Sequence, residues 1–311
     1  MHRLIERIID CPQTVAGSRC GGGLVEESDC LVCQKCRQKY PISSKGIPIF
    51  NGEDPNGEKE WYDGNYRKRS LENDLALGAG ADYRVWITGL IESEKIHGPS
   101  LDVGCGTGIL ARTLPDFIGL DYSHQAVTTL GSEGIAFVVG SAETLPFHDA
   151  AFGCVFSVSA LEHVPKVDLA FLEIDRVLQP NGVVVMRPAW HCTRYQTELL
   201  PIKRYGELNL RQKVTKALMP VLTSRIYKFF THVPARIIRR LTARRPTQLS
   251  FVPLTPNFSQ WIADSDACSS IDCHEGILFF ESRGYAQISH RKLWKRILAG
   301  HDWIVMRKPA R

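Results

Sequence analysis

Between Ser100 and Met186 the chain sets short apolar runs between polar, glycine-marked breaks. Leu101–Val103, Phe117–Asp121, Ile135–Gly140, the apolar part of "AFGCVFSVSALEHV" and "VVVM" before Arg187 are each too short for a helix. Their near-continuous apolar character predicts strands buried on both faces, as in a parallel sheet. "LAFLEIDRVL" before the fifth run has apolar residues at three- to four-residue steps and predicts a helix, followed by a Pro180-Asn181-Gly182 turn. A short helix is predicted over Ile109–Leu114. Strands alternating with helices in this way predict an α/β chain with a doubly wound sheet.

A second block completes the pattern near the C-terminus. "CHEGILFFESRGY" predicts an amphipathic helix from about Ile271 to Arg283, stopped by Gly284. "AQISH" and "DWIVMRK" predict an antiparallel strand pair. The stretch between Ala189 and Ser270 therefore interrupts the domain after its fifth strand, where insertions overlie the carboxyl ends of the strands and set substrate choice. Within it Leu222, Ile226, Phe229, Phe230, Val233, Ile237 and Leu241 recur at helical steps, with Arg225, Lys228, Arg236, Arg239 and Arg240 on the other faces. This predicts a basic amphipathic helix with a kink at Pro234. It has three readings: a lid whose apolar face covers the core, a segment that docks on anionic lipid through 222–245, or an RNA-binding surface.

Charge sharpens that picture. The chain of 311 residues has a formal net charge of +5, but twelve Lys/Arg against the single acid Glu207 fall between Lys203 and Arg245, leaving the remainder acidic. The basic character is local, which implies one anionic partner surface. No run of about 18 apolar residues predicts a membrane span. The start "MHRLIERIID" has no apolar leader core, so the expected compartment is the reducing cytosol, with the inner membrane face as a peripheral location.

Five of the ten cysteines lie in the first 36 residues. In a reducing compartment such clustering favours a metal over disulfides. Cys33 and Cys36 form a C-x-x-C knuckle, and Cys20 with Cys11 are the candidates to complete a four-thiolate structural zinc site, with Cys30 to spare. Around them, Cys20-Gly-Gly-Gly-Leu24, Cys33/Cys36 and "YPISSKGIPIF" (Tyr40–Phe50) resemble the zinc-ribbon-like domain related to the small activator of tRNA methyltransferases. The spacing from Cys11 to Cys20 is wider than in that family. The alternative is a metal-free β-fold held by Ile42, Ile47, Ile49 and Phe50.

The central motif is "SLDVGCGTGIL", Ser100–Leu110: a strand, a glycine turn and an apolar helix start. Its G-x-G-x-G spacing differs from the dinucleotide G-x-G-x-x-G. Asp102 beside the loop would repel a pyrophosphate but suits the amino end of a ligand such as S-adenosylmethionine. Asp121 ends the second strand, where an acid binds a ribose diol. With "FIGLDYS", "SAETLPF", "LEH" and "RVLQPNG" following in order, the region resembles class I S-adenosylmethionine-dependent methyltransferases. The resemblance implies a Rossmann-like seven-stranded methyltransferase sheet. It also implies cofactor contacts from Gly104, Gly106, Gly108, Asp121 with its neighbour Tyr122, and Ala142 with Glu143. Gly153 and Asn181 depart from the group's pattern.

The expected organisation is a zinc-ribbon-like module (1–52), a helical lead-in (53–98), a methyltransferase domain (99–189 and 271–311) and a basic helical insertion (190–270). His163, after the fourth strand, is the candidate base for a hydroxyl acceptor. Trp190 and His191 are expected to line the pocket, and Tyr62 and Tyr66 to close over the cofactor. Asp264, Asp266 and Asp272, grouped near Trp261, are expected either to cap a helix or to touch substrate. The leading functional expectation is O-methylation of a small molecule, saccharide or lipid-linked intermediate. The alternatives are RNA base methylation and a non-catalytic adaptor with a vestigial cofactor site.

Overall fold

The computed structural model describes residues 1–50, 58–67, 81–130, 135–259 and 264–310. The expectation for Trp261 lies outside them, as does much of the 53–98 lead-in. The chain divides into two compact units. One holds Met1–Val158, Leu169–Met186 and the tail from Lys308; the other holds Ser159–Asp168 and Arg187–Arg307.

The first unit opens with a small β module. A hairpin pairs β1 (Thr14–Val15) with β2 (Ser18–Arg19), and an antiparallel sheet joins β3 (Leu24–Glu27), β4 (Cys30–Cys33) and β5 (Lys39–Pro41) in that order. Then come β6 (Ser100–Val103), β7 (Phe117–Asp121), β8 (Ala136–Val139), β9 (Phe152–Val158) and β10 (Leu178–Arg187). They lie in the order β10-β9-β6-β7-β8. β6 is parallel to both β7 and β9, and β7 is parallel to β8. All residues of β6, β7 and β8 are buried. That is why these strands read as unbroken apolar runs.

The β module is joined to this sheet through its backbone. Ile49 bridges Val139 in parallel, the Phe50 N–H donates to the Val139 carbonyl, and Val139 N–H donates to Pro48. Ile9 bridges Phe147, and His148 N–H donates to Ile8.

In the second unit, β11 (Phe251–Pro253) pairs with β12 (Ser269–Ile271), and β13 (Ala286–Gln287) pairs antiparallel with β14 (Ile304–Arg307). The Rossmann-like seven-stranded sheet expected from the sequence is thus present, in the order β13-β14-β10-β9-β6-β7-β8. Leu210–Leu222 and Arg225–Thr242 are the two longest helices of the insertion among its described residues.

Three expectations need correction. Ile109–Leu114 is a run of turns, not a helix. Gly108 has φ = +71° and Pro115 follows, so only six residues are available, too few to offset helix nucleation. The late helix runs over Cys273–Glu281, and Cys273 through Phe280 are all buried. It is enclosed on every side: Glu275 receives Arg239 and Asp272 caps the N-terminus, while His274 is fully buried with neither ring nitrogen hydrogen-bonded among the described residues. The third correction concerns the insertion helix. Ile226, Phe230 and Leu241 are 73%, 71% and 80% exposed, whereas Arg236 is 6% exposed. The basic side faces the body of the unit and the apolar side faces solvent, the reverse of a lid packed on a core.

Candidate active site

The glycine turn is built from the ends of β6 and β7. Gly104 and Cys105 N–H groups both donate to the Leu120 carbonyl, at 2.8 and 3.0 Å. Gly104, Gly106 and Gly108 have φ of +75°, +53° and +71°. At Gly106 this left-handed backbone turns the N–H onto Asp121, which accepts through Oδ2 at 2.8 Å. Asp121 Oδ1 accepts from Ser123 N–H at 2.9 Å. A side chain at Gly106 would press on the Tyr66 hydroxyl, 3.2 Å from the Cβ position.

Asp102 lies in β6 beside Gly119 of β7 and is 4% exposed. Burial, reinforced by the Asp121 charge, pushes its carboxyl up to about 7. Burial also raises Asp121, opposed by the N–H donors of Ser123 and Gly106. Two neighbouring buried acids, with no cation paired to either among the described residues, suit a positively charged ligand, which would draw both to the ionised form. The donor set therefore fits S-adenosylmethionine, whose sulfonium and ammonium are cationic.

The loop after β8 carries Ala142 and Glu143, both half-buried. Its far end is fixed from behind. Leu145 N–H donates to Glu173 at 2.8 Å, and Arg176 donates to the carbonyls of Leu145 and Phe147 at 3.0 and 2.7 Å. Tyr122 is half-buried. Of the lead-in aromatics, Tyr66 meets the glycine turn, and Tyr62 stacks edge-on against Trp61. Asp63, between them, accepts from Ser123 Oγ at 2.5 Å and Gln125 N–H at 3.0 Å. It ties helix Glu58–Tyr66 to helix His124–Leu130, a role sequence reading missed. The signal available was the Ser123 hydroxyl at a helix N-cap position.

In the second unit, His163 ends a 3-10 turn, Leu161–His163. Its Nδ1 lies 3.2 Å from Asp266 Oδ2, and its Nε2 lies 3.7 Å from Glu162 Oε1. Glu162 is 1% exposed, and its Oε2 has no hydrogen-bond partner among the described residues. Burial opposes charge on His163, but Glu162 and Asp266 outweigh it and raise the imidazole above its ordinary value. Burial likewise raises Glu162. Asp264 accepts from Gln196 at 3.1 Å.

The remaining candidates separate. Asp272 lies apart from the pair Asp264/Asp266: it caps helix Cys273–Glu281 and takes both Nε and Nη2 of Arg236, at 2.8 and 2.7 Å. Trp190 is a core side chain, 1% exposed, with its indole N–H on the Asp302 carbonyl. It packs against Gly276, which has no Cβ to obstruct the ring. His191 lies beside His232, with ring centroids 5.2 Å apart, and burial pushes it down to about 4.

The four thiols of Cys11, Cys20, Cys33 and Cys36 lie within 4.8 Å of one another. Cys11–Cys36 and Cys20–Cys33 are 3.5 and 3.7 Å apart between sulfurs. A tetrahedral zinc with Zn–S of ~2.3 Å separates its ligand sulfurs by about 3.8 Å, so the set fits that ion. Cys30 Sγ instead bonds the Glu27 carbonyl. Tyr40 lies 3.0 Å from Cys11 Sγ through its hydroxyl.

Residues 101–186 match the Methyltransferase domain family. The chain is 34% identical to the sterol 24-C-methyltransferase ERG6B of Gibberella zeae over 35% of its own length and 31% of that protein's. It is 34% identical to the ubiquinone/menaquinone biosynthesis C-methyltransferase UbiE of Brucella anthropi, over 37% and 50%. The malonyl-[acyl-carrier protein] O-methyltransferase of Methylococcus capsulatus is 27% identical over 62% and 81%. These matches support a class I S-adenosylmethionine-dependent methyltransferase domain. The chain spans about a third to a half of the length of the first two relatives. The matched segment holds the glycine turn, Asp102, Asp121 and the Ala142–Glu143 loop, and leaves both the cysteine module and the insertion outside it.

Proposed function

We propose that the protein is an S-adenosylmethionine-dependent methyltransferase acting on an oxygen of a small lipid, saccharide or lipid-linked acceptor. The observation that carries this reading is the pair of buried acids, Asp102 and Asp121, at a left-handed glycine turn. When bound, the cofactor supplies the electrophilic methyl group. Gly104, Gly106 and Gly108 let the backbone approach it closely, Asp121 is assigned to the ribose hydroxyls, and Ala142 with Glu143 to the adenine side.

His163 is assigned as the proton acceptor for the acceptor hydroxyl. Asp266 on Nδ1 favours the tautomer with Nδ1 protonated, and Nε2, 3.7 Å from Glu162 Oε1, is the nitrogen assigned to take the proton. The relatives named for sterol, quinone and acyl-carrier substrates support a lipid-like acceptor over RNA. Neutralisation of Arg236, Arg239 and Arg240 by Asp272, Glu275 and Glu281 also weakens the RNA reading. The clustered Cys11, Cys20, Cys33 and Cys36 support a structural zinc, because four thiolates leave no open coordination position.

Calorimetry with S-adenosylmethionine tests the site. Asp121→Ala should weaken binding tenfold or more, on the order of 1.4 kcal/mol. An unchanged affinity in that variant would remove Asp121 from the cofactor site.

A further inference from the structure

We propose that helices Leu210–Leu222 and Arg225–Thr242 form a docking face for an anionic lipid bilayer surface. In the second helix Ile226, Phe230, Ile237 and Leu241 fall within an arc of about 60° at 3.6 residues per turn. All four are exposed, three of them above 70%. The first helix repeats the pattern: Leu210, Val214, Leu218 and Val221 share one face and are likewise exposed, Leu210 at 78%. Two successive helices each leave an apolar row in water, which soluble surfaces rarely do without a partner.

The inverted orientation is fixed by chemistry. Arg236 is held by both oxygens of Asp272 and by the Ile297 carbonyl. Arg239 pairs with Glu275 and Arg240 with Glu281. Three arginines anchored inward on one helix force the opposite, apolar side outward.

Charge then selects the occupant. Lys213, Arg244 and Arg245 have no acidic partner among the described residues, and neither helix contains an acid. A second copy meeting this face through a twofold axis would set like charges against each other. RNA would satisfy the cations and leave the aliphatic rows in water. An anionic bilayer surface meets both demands: hydrocarbon for Ile226, Phe230 and Leu241, and phosphate for the cations. This goes beyond the methyl-transfer reading and does not depend on it.

The test is co-sedimentation of the full chain with phosphatidylcholine vesicles made with and without phosphatidylglycerol. Wild type should pellet with the phosphatidylglycerol vesicles, and at least tenfold less with phosphatidylcholine alone. Phe230→Glu combined with Ile226→Glu should reduce the binding at least tenfold while leaving S-adenosylmethionine affinity and thermal unfolding unchanged. Absence of binding to anionic vesicles, or binding that the double variant retains, overturns the proposal. So does a dimer in sedimentation velocity that the double variant dissociates, which would assign the face to a second copy. Retention of structured RNA without vesicle binding at physiological salt overturns it as well.

Discussion

Gly153 stands where the resembling methyltransferases carry Asp, and its surroundings explain the change. A Cβ there would lie 1.8 Å from the His97 carbonyl oxygen, because the chain entering β6 crosses this point of β9. Only glycine fits, and its N–H is taken by Pro99. His163 poses the opposite kind of question, since nothing in its own sequence neighbourhood reveals Asp266, about a hundred residues away, on its Nδ1. If His163 is the base, methyl transfer should rise with pH through an imidazole pKa above the ordinary 6.5. The neutral form is the active one, so the limb lies on the acid side of the profile. Asp266→Asn removes one of the charges that raise this pKa. The limb in kcat should then move to lower pH, with a smaller kcat above it. A profile that keeps its midpoint in Asp266→Asn would reduce Asp266 to packing.

At the scale of elements, the N-terminal module acts as a brace. Arg19 pairs with Asp10 and also reaches the Phe147 carbonyl, while Asp10 N–H donates to Pro146. The loop from Ser141 to Phe147 is therefore held by the cysteine module on one side and by Glu173 and Arg176 on the other. Metal analysis should return about one zinc per chain, lost in Cys33→Ser, because binding and folding of a four-thiolate module are coupled. Chelation should speed hydrogen exchange at His148, whose N–H donates to the Ile8 carbonyl of the module. Exchange that is unchanged on zinc loss would show that the apolar residues, Ile5, Ile9, Leu31 and Tyr40, hold the brace without metal. The sequence made the strands legible because burial on both faces writes continuous apolar runs. It concealed the orientation of the insertion helix. An amphipathic period fixes that two faces differ, not which one is turned inward, and here Asp272, Glu275 and Glu281, three to four dozen residues downstream, decide it.

For the whole molecule, the buried acids couple stability to the ligand. Asp102 titrates near 7 in the folded chain and at the ordinary 3.8 when exposed. Between those values the folded state binds more protons than the unfolded state, so stability falls as pH rises. The full difference of about three pKa units corresponds to roughly 4 kcal/mol as an upper bound for this one group. A cationic ligand needs Asp102 ionised, so S-adenosylmethionine affinity should move the other way, rising up to about tenfold per pH unit until pH reaches about 7. The ligand's α-ammonium, with a pKa of ~7.7 to 8.0, remains charged over that range. Calorimetry from pH 5.5 to 7 should therefore show affinity rising at least tenfold, with release of close to one proton at the acid end. In Asp102→Asn the affinity should be flat with pH, and the apo protein should lose less stability on going from pH 5 to 7. Wild-type affinity independent of pH would mean that the charge of the ligand does not face Asp102. The glycine spacing and the two acids were visible in the sequence. Their mutual burial, which makes them a ligand-dependent cost to the fold, required the parallel register that sets Asp102 beside Gly119 and ends β7 at Asp121.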